Sequence, residues 1–128
     1  MTPEARASLA RAGRDLQAAR HLSGGGFTDQ AISRAYYAAF HAAEACLLEL
    51  AERRSKHAAT IVAFVRLVVK EGGFDPEIGR VLRRLFDRRN EADYGAPDAD
   101  RARADQAIDE ARRFIDAAER WVAERDRA

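Results

Sequence analysis

Ile32, Tyr36, Phe40, Ala43, Leu47 and Leu50 recur at spacings of three and four residues. A strand turns its side chains to alternate faces every second residue, so these six share one side only if the backbone winds at the helical period. An amphipathic helix is therefore predicted here, opening at Phe27 or Thr28. The same period recurs on either side of it. Leu9, Leu16 and Leu22 mark the inner face of a first helix, with Thr2 placed to cap it, Pro3 at its first position and Glu4 in its first turn. Gly24-Gly25-Gly26 stops that helix. Ser55 is expected to cap a third helix running to about Glu71, with Ile61, Phe64, Val65 and Val68 inward. Gly72-Gly73 ends it, and Asp75-Pro76 restarts the chain with a cap and a proline suited to a first helical position. Ile78, Val81, Leu82, Leu85 and Phe86 form the inner face of a fourth helix that ends near Tyr94-Gly95-Ala96-Pro97. Asp98 is expected to cap a last helix, with Ala107, Ile108, Ala111, Ile115, Trp121 and Val122 inside. Short connections between consecutive helices favour antiparallel neighbours. The fold class that follows is all-α, an antiparallel up-and-down bundle of about five helices.

Composition agrees with this only because of placement. Alanine supplies 28 residues, while Leu, Ile, Val and Phe together supply 26, about the level at which chains cease to fold. The folded reading rests on where those 26 lie. Alanine is the best helix former, which points the same way. A chain of 128 residues is the size of one domain, so residues 1–128 are expected to form a single unit. No run of about 18 apolar residues exists to span a membrane. Met1-Thr2-Pro3-Glu4-Ala5-Arg6 lacks the apolar core of a signal peptide, so the chain is expected in the cytoplasm. The single Cys46 excludes an internal disulfide and a cysteine-rich zinc site, and it suits a small buried apolar position. No metal or cofactor is expected.

Charge is uneven. The net value is +1, but residues 53–90 hold ten Lys and Arg against four Asp and Glu. A basic middle on an acidic frame can attract phosphates locally. It can equally be a solvated helix face paired across the bundle.

Three stretches carry residues suited to chemistry. In Arg88-Arg89-Asn90-Glu91-Ala92-Asp93-Tyr94-Gly95, Arg89 continues the apolar stripe of Leu82 and Leu85. A guanidinium there needs a partner or a polar groove. Asp93 lies one turn on, placed for an ion pair, with Asn90 and Tyr94 on the adjacent face. In Ser55-Lys56-His57, a lysine and a histidine stand where a helix begins, a plausible phosphate seat or simply a cap with two solvated side chains. On the second helix, Arg34, Tyr36, Tyr37 and His41 lie close together, and Tyr37, His41 and Glu44 share a face. The lone His41–Glu44 pair is too little for a carboxylate-bundle metal site, which needs two such pairs and two further glutamates.

These stretches, with Ile32-Ser33-Arg34-Ala35-Tyr36-Tyr37-Ala38-Ala39-Phe40-His41-Ala42-Ala43 before them, resemble the HEPN domains, and most closely their small stand-alone prokaryotic branch. The resemblance covers roughly residues 5–125. It implies an antiparallel bundle that dimerises and gathers motif residues from two chains around one cleft. It implies, in paired operons, a toxin whose partner is a minimal nucleotidyltransferase. Many members are metal-independent ribonucleases with a motif of arginine, a polar residue, three further residues and histidine. Arg89 and Asn90 match its start, and Tyr94 stands at the histidine position. Tyrosine titrates near ~10 against ~6.5 for histidine, so it is a poor base at neutral pH. The reading that results is a dimeric component that binds a nucleotide, RNA or its partner, with a degenerate nuclease motif. Arg89, Asn90, Asp93 and Tyr94 are the candidate catalytic residues, and Lys56, His57, Arg34, Tyr37 and His41 are candidates for holding phosphate. A metal-independent ribonuclease toxin is the first alternative. A structural helical oligomerisation module is the second.

Overall fold

A computed structural model of the chain describes residues 1–93 and 100–126. These form helices α1 (Pro3–Gly24), α2 (Thr28–Glu49), α3 (His57–Ala63), α4 (Pro76–Asp93) and α5 (Arg101–Asp126), with a π-helical segment, Phe64–Lys70, continuing α3. No strand occurs among the described residues. The all-α expectation holds.

The first helix begins and ends as its sequence requires. Thr2 Oγ1 accepts the Ala5 N–H, and Pro3 follows. At its end Gly26 takes φ +86°, while the N–H groups of Gly26 and Phe27 donate to Ser23 and Leu22. This is the paired-bond cap that a left-handed glycine permits. The end of α2 has the same bond pattern, Ala51 to Leu48 and Glu52 to Leu47, but an alanine occupies the left-handed position at φ 58°.

Helix α2 is the centre of the molecule. Its buried set includes Ile32, Tyr36, Phe40, Cys46 and Leu47, with alanines between them. Small residues let neighbouring helices approach closely, and α1, α4 and α5 all pack on it. Ser8 donates to the His41 carbonyl and Arg34 meets Asp15, so α1 and α2 run antiparallel. Phe86 packs on Tyr36 while Arg89, further along α4, reaches Tyr37. Cys46 is fully buried, as its small apolar character suggests, and burial pushes its thiol far above the usual range.

Residues 50–56 do not simply turn a corner. They run back along α2, so that His57 stacks on Phe40 near the middle of that helix. Seven extended residues reach ~23–25 Å, ample for a return of some ten helical residues at 1.5 Å each, about 15 Å. From there α3 and the π segment run in the same direction as α5, with Phe64 against Phe114 and Gly72 under Trp121. The Gly72 carbonyl accepts from Trp121 Nε1 at 2.8 Å and also from Arg125, whose guanidinium lies over the indole. The π winding shows in the Glu71 N–H, which donates five residues back to Arg66.

Three details depart from the sequence reading. Val65 was expected inward but is 37% exposed, because the wider π turn carries it off the face of Ile61, Phe64 and Val68. Leu50 lies beyond the end of α2 and is exposed for that reason. Ser55 does not cap α3; the capping position is Lys56, and no side chain caps there. Asp98, the expected cap of α5, lies outside the described residues; at the start of α5, Asp100 Oδ1 accepts the Arg103 N–H.

Candidate functional site

Four elements converge beside the middle of α2. Helix α2 contributes Arg34, Tyr36, Tyr37, Phe40, His41 and Glu44; α1 contributes Asp15; α3 opens with His57; α4 contributes Arg89 and Asp93. The helical period puts Tyr37, His41 and Glu44 on one face. The return of residues 50–56 supplies His57, and the antiparallel run of α4 along α2 supplies Arg89.

Tyr37 lies close to two guanidinium groups. Arg34 sits over its ring at 4.5 Å and Arg89 at 5.3 Å from the centroid. Cations over an aromatic face are attracted by its quadrupole. Arg89 also donates from Nη2 to the Tyr37 hydroxyl at 3.2 Å and lies 5.6 Å from the Tyr36 ring. Its Nε is 3.1 Å from Asp93 Oδ2, the ion pair expected from the i, i+4 spacing. The N–H is not aimed at that oxygen, however. Nε is buried and lacks a hydrogen-bond acceptor among the described residues. Coulomb attraction holds Asp93 near, while an unsatisfied donor remains at a position worth ~1–3 kcal/mol to fill.

His41 lies between two carboxylates: Nδ1 is 2.8 Å from Glu44 Oε1, and Nε2 is 3.5 Å from Asp15 Oδ2. Asp15 also pairs with Arg34 at 3.3 Å. His57 stacks on Phe40 with centroids 4.1 Å apart, and its Nδ1 lies 2.9 Å from the Tyr36 hydroxyl. Burial, and then the Arg89 charge, lower the His57 pKa below the ordinary imidazole value. Burial raises Tyr36 far above the usual phenol value.

The structure thus brings together Arg34, Tyr37, His41, His57, Arg89 and Asp93 from three separated stretches. Lys56 stays outside this cluster with an exposed side chain, and its carbonyl receives the N–H and hydroxyl of Thr60. Asn90 is half-buried on the same turn as Arg89, with no side-chain hydrogen bond among the described residues. Tyr94 lies outside the described residues. Sequence reasoning missed the partnership of Tyr36 with His57 and the role of Asp15. No local signal marks Asp15, because its relation to Arg34 and His41 depends on how α1 docks on α2. Beside the cluster, a cavity of about 560 Å³ is lined by Asp29, Gln30, Ser33, Arg34, Ala92 and Asp93 with Leu22.

Part of the basic stretch is engaged elsewhere. Arg84 and Arg88 converge on the buried Glu110 at 3.2 and 2.8 Å. Arg80 pairs with Glu77 and Arg83 with Asp87 on the surface. The local cations at the site are therefore Arg34 and Arg89 rather than the whole run.

Comparison with known proteins agrees with the all-helical fold. The HEPN domain matches residues 5–121. The chain is 34% identical over 113 residues to a Methanocaldococcus jannaschii protein named "Putative toxin MJ0605", covering 88% of this chain and 84% of that one. It is 34% identical over 126 residues to a UPF0332 protein of Gloeobacter violaceus, covering 97% of this chain and all of the relative. A UPF0332 protein of Thermotoga maritima is 34% identical over 99 residues, covering 77% and 75%. An all-helical chain with this arginine-bearing cluster, matched over nearly its whole length, belongs to the HEPN domain family.

Proposed function

We propose that this chain is the toxin-type component of a HEPN and nucleotidyltransferase pair, acting in the cytosol as a homodimer of one-domain subunits that binds RNA through its phosphates. The observation that carries the reading is Arg89. Its guanidinium is held against Tyr36 and Tyr37, and its buried Nε–H has no acceptor among the described residues. The side chain is about 24% exposed, and the part of the guanidinium open to solvent suits a phosphate oxygen, because guanidinium is permanently charged and its forked donors match phosphate geometry. Arg34, also within reach of the Tyr37 ring, adds a second cation, and the exposed Lys56 is near enough in sequence to His57 to extend the basic surface. The likeness to a protein named as a toxin supports the toxin-type assignment.

The test is fluorescence anisotropy with a labelled single-stranded RNA, run on wild type, Arg89→Ala and Arg89→Lys of matched thermal stability. Losing a charged hydrogen-bonding group worth ~1.5–3 kcal/mol weakens binding roughly ten- to a hundredfold. Lysine does not restore it, because a point charge lacks the fork. Equal binding by all three proteins removes Arg89 from the site. The same samples incubated with RNA in chelator separate binding from catalysis. Cleavage by wild type alone moves the assignment to a metal-independent ribonuclease, with Asp93, Asn90 and Tyr94 next to substitute.

A further inference from the structure

Tyr36 and His57 form a pair to which phosphate binding by Arg89 assigns no role. Tyr36 is fully buried, and its hydroxyl lies 2.9 Å from His57 Nδ1, its hydrogen-bond partner among the described residues. A buried hydroxyl with one partner donates to it, since an idle proton in the interior forfeits a hydrogen bond. Burial also keeps the phenol protonated throughout the neutral range. Nδ1 is therefore the acceptor. A neutral imidazole that accepts at Nδ1 carries its proton on Nε2.

The surroundings keep that ring neutral. Phe40 covers one face, with an interplanar angle of 20°. The charged and titratable groups facing it are Arg89 from α4 and Glu44 and His41 from α2. Burial, Arg89 and His41 oppose the imidazolium and Glu44 favours it; the balance is downward. The ring is partly exposed, whereas the tyrosine bound to Nδ1 is not. The nitrogen left for a ligand is Nε2.

We propose that Tyr36 is a positioning residue that fixes His57 as the neutral Nε2–H tautomer, so that His57 donates a hydrogen bond to a phosphodiester oxygen instead of serving as a base. This rests on the phosphate-binding function of the site. A general base needs a free lone pair on the nitrogen that meets the reacting hydroxyl. In this tautomer the available nitrogen has none. The pair thereby favours recognition over cleavage at His57.

The tautomer is read directly from imidazole nitrogen resonances of the ¹⁵N-labelled full chain. At about pH 7.5, above the ordinary histidine range, wild type is expected to show a pyridine-type Nδ1 and a pyrrole-type Nε2. In Tyr36→Phe that preference relaxes to a mixture. A pyrrole-type Nδ1, or an imidazolium at that pH, overturns the proposal. The second measurement is anisotropy with the labelled RNA. His57→Gln places an N–H near the Nε2 position and is expected to bind within about threefold of wild type, while His57→Phe loses roughly tenfold. Equal losses in both variants overturn the donor role. Wild type that fails to bind RNA rejects the phosphate-binding function itself. A wrong tautomer with RNA binding intact rejects this proposal alone.

Discussion

Arg89 lies at the end of an apolar stripe, where a charge needs company, and that need made it conspicuous in the sequence. Its i, i+4 partner Asp93 was legible from spacing, and the pair forms at 3.1 Å. The tyrosines beside it were visible as residues but not as partners, because Tyr37 and Arg89 are joined only through docking of α4 on α2. His57 was legible as a candidate and illegible in its setting, since nothing local brings it to Phe40 and Tyr36. That setting has a consequence for stability. The folded state disfavours protonated His57, so its pKa there lies below the unfolded value of about 6.5. Between those two values the unfolded chain binds more protons, and stability rises with pH. Wild type is therefore expected to lose thermal stability as pH falls below about 6.5 and to level off below the folded-state pKa. His57→Gln lacks this component, which a comparison of melting temperatures across that window would reveal.

Element by element, the helices follow from periodicity and from their punctuation. The long stripes of α2, α4 and α5 bury the residues expected of them, apart from Leu50 at the end of α2 and a half-buried Ile78 and Phe86 on α4. The failure at Val65 has a physical cause in the π segment, whose turn is wider than the period on which the expectation was built. Two substitutions probe the elements that shape this region. Ala51 holds a left-handed conformation that costs an alanine ~1–2 kcal/mol. Ala51→Gly is expected to stabilise the protein by about 0.5–1 kcal/mol after glycine's own entropic cost, measurable by urea denaturation. Gly72 behaves oppositely. A Cβ there would stand 2.6 Å from the Val68 carbonyl oxygen and 2.9 Å from that of Leu67. Gly72→Ala is expected to destabilise by ~1–3 kcal/mol, the usual range for forced overpacking, and to disturb the environment of Trp121, which its fluorescence reports.

At the scale of the molecule, the uneven charge was plain in the sequence, but its use was not. Arg84 and Arg88 neutralise the buried Glu110, and Arg54, Arg80 and Arg83 have acidic neighbours of their own. At the proposed site itself the cations are Arg34 and Arg89, with the exposed Lys56 beside His57. Two or three phosphate contacts imply a modest salt dependence. The slope of log K against log salt is expected at about −1.5 to −2, from ~0.7 per contact on a single strand. Anisotropy titrations at several salt concentrations measure it, and a much steeper slope would show that the wider basic surface takes part.

Residues 50–56 return His57 to α2 using only chain that precedes α4, whereas Arg89 and Asp93 come last of the cluster. Ribosomes build a chain from its N-terminus at ~5–20 residues per second. The aromatic half of the site is thus made, with Arg34, before the Arg89 guanidinium, and a nascent chain carries an incomplete site until α4 emerges and docks. On the proposed function, RNA binding through Arg89 begins only once α4 has docked.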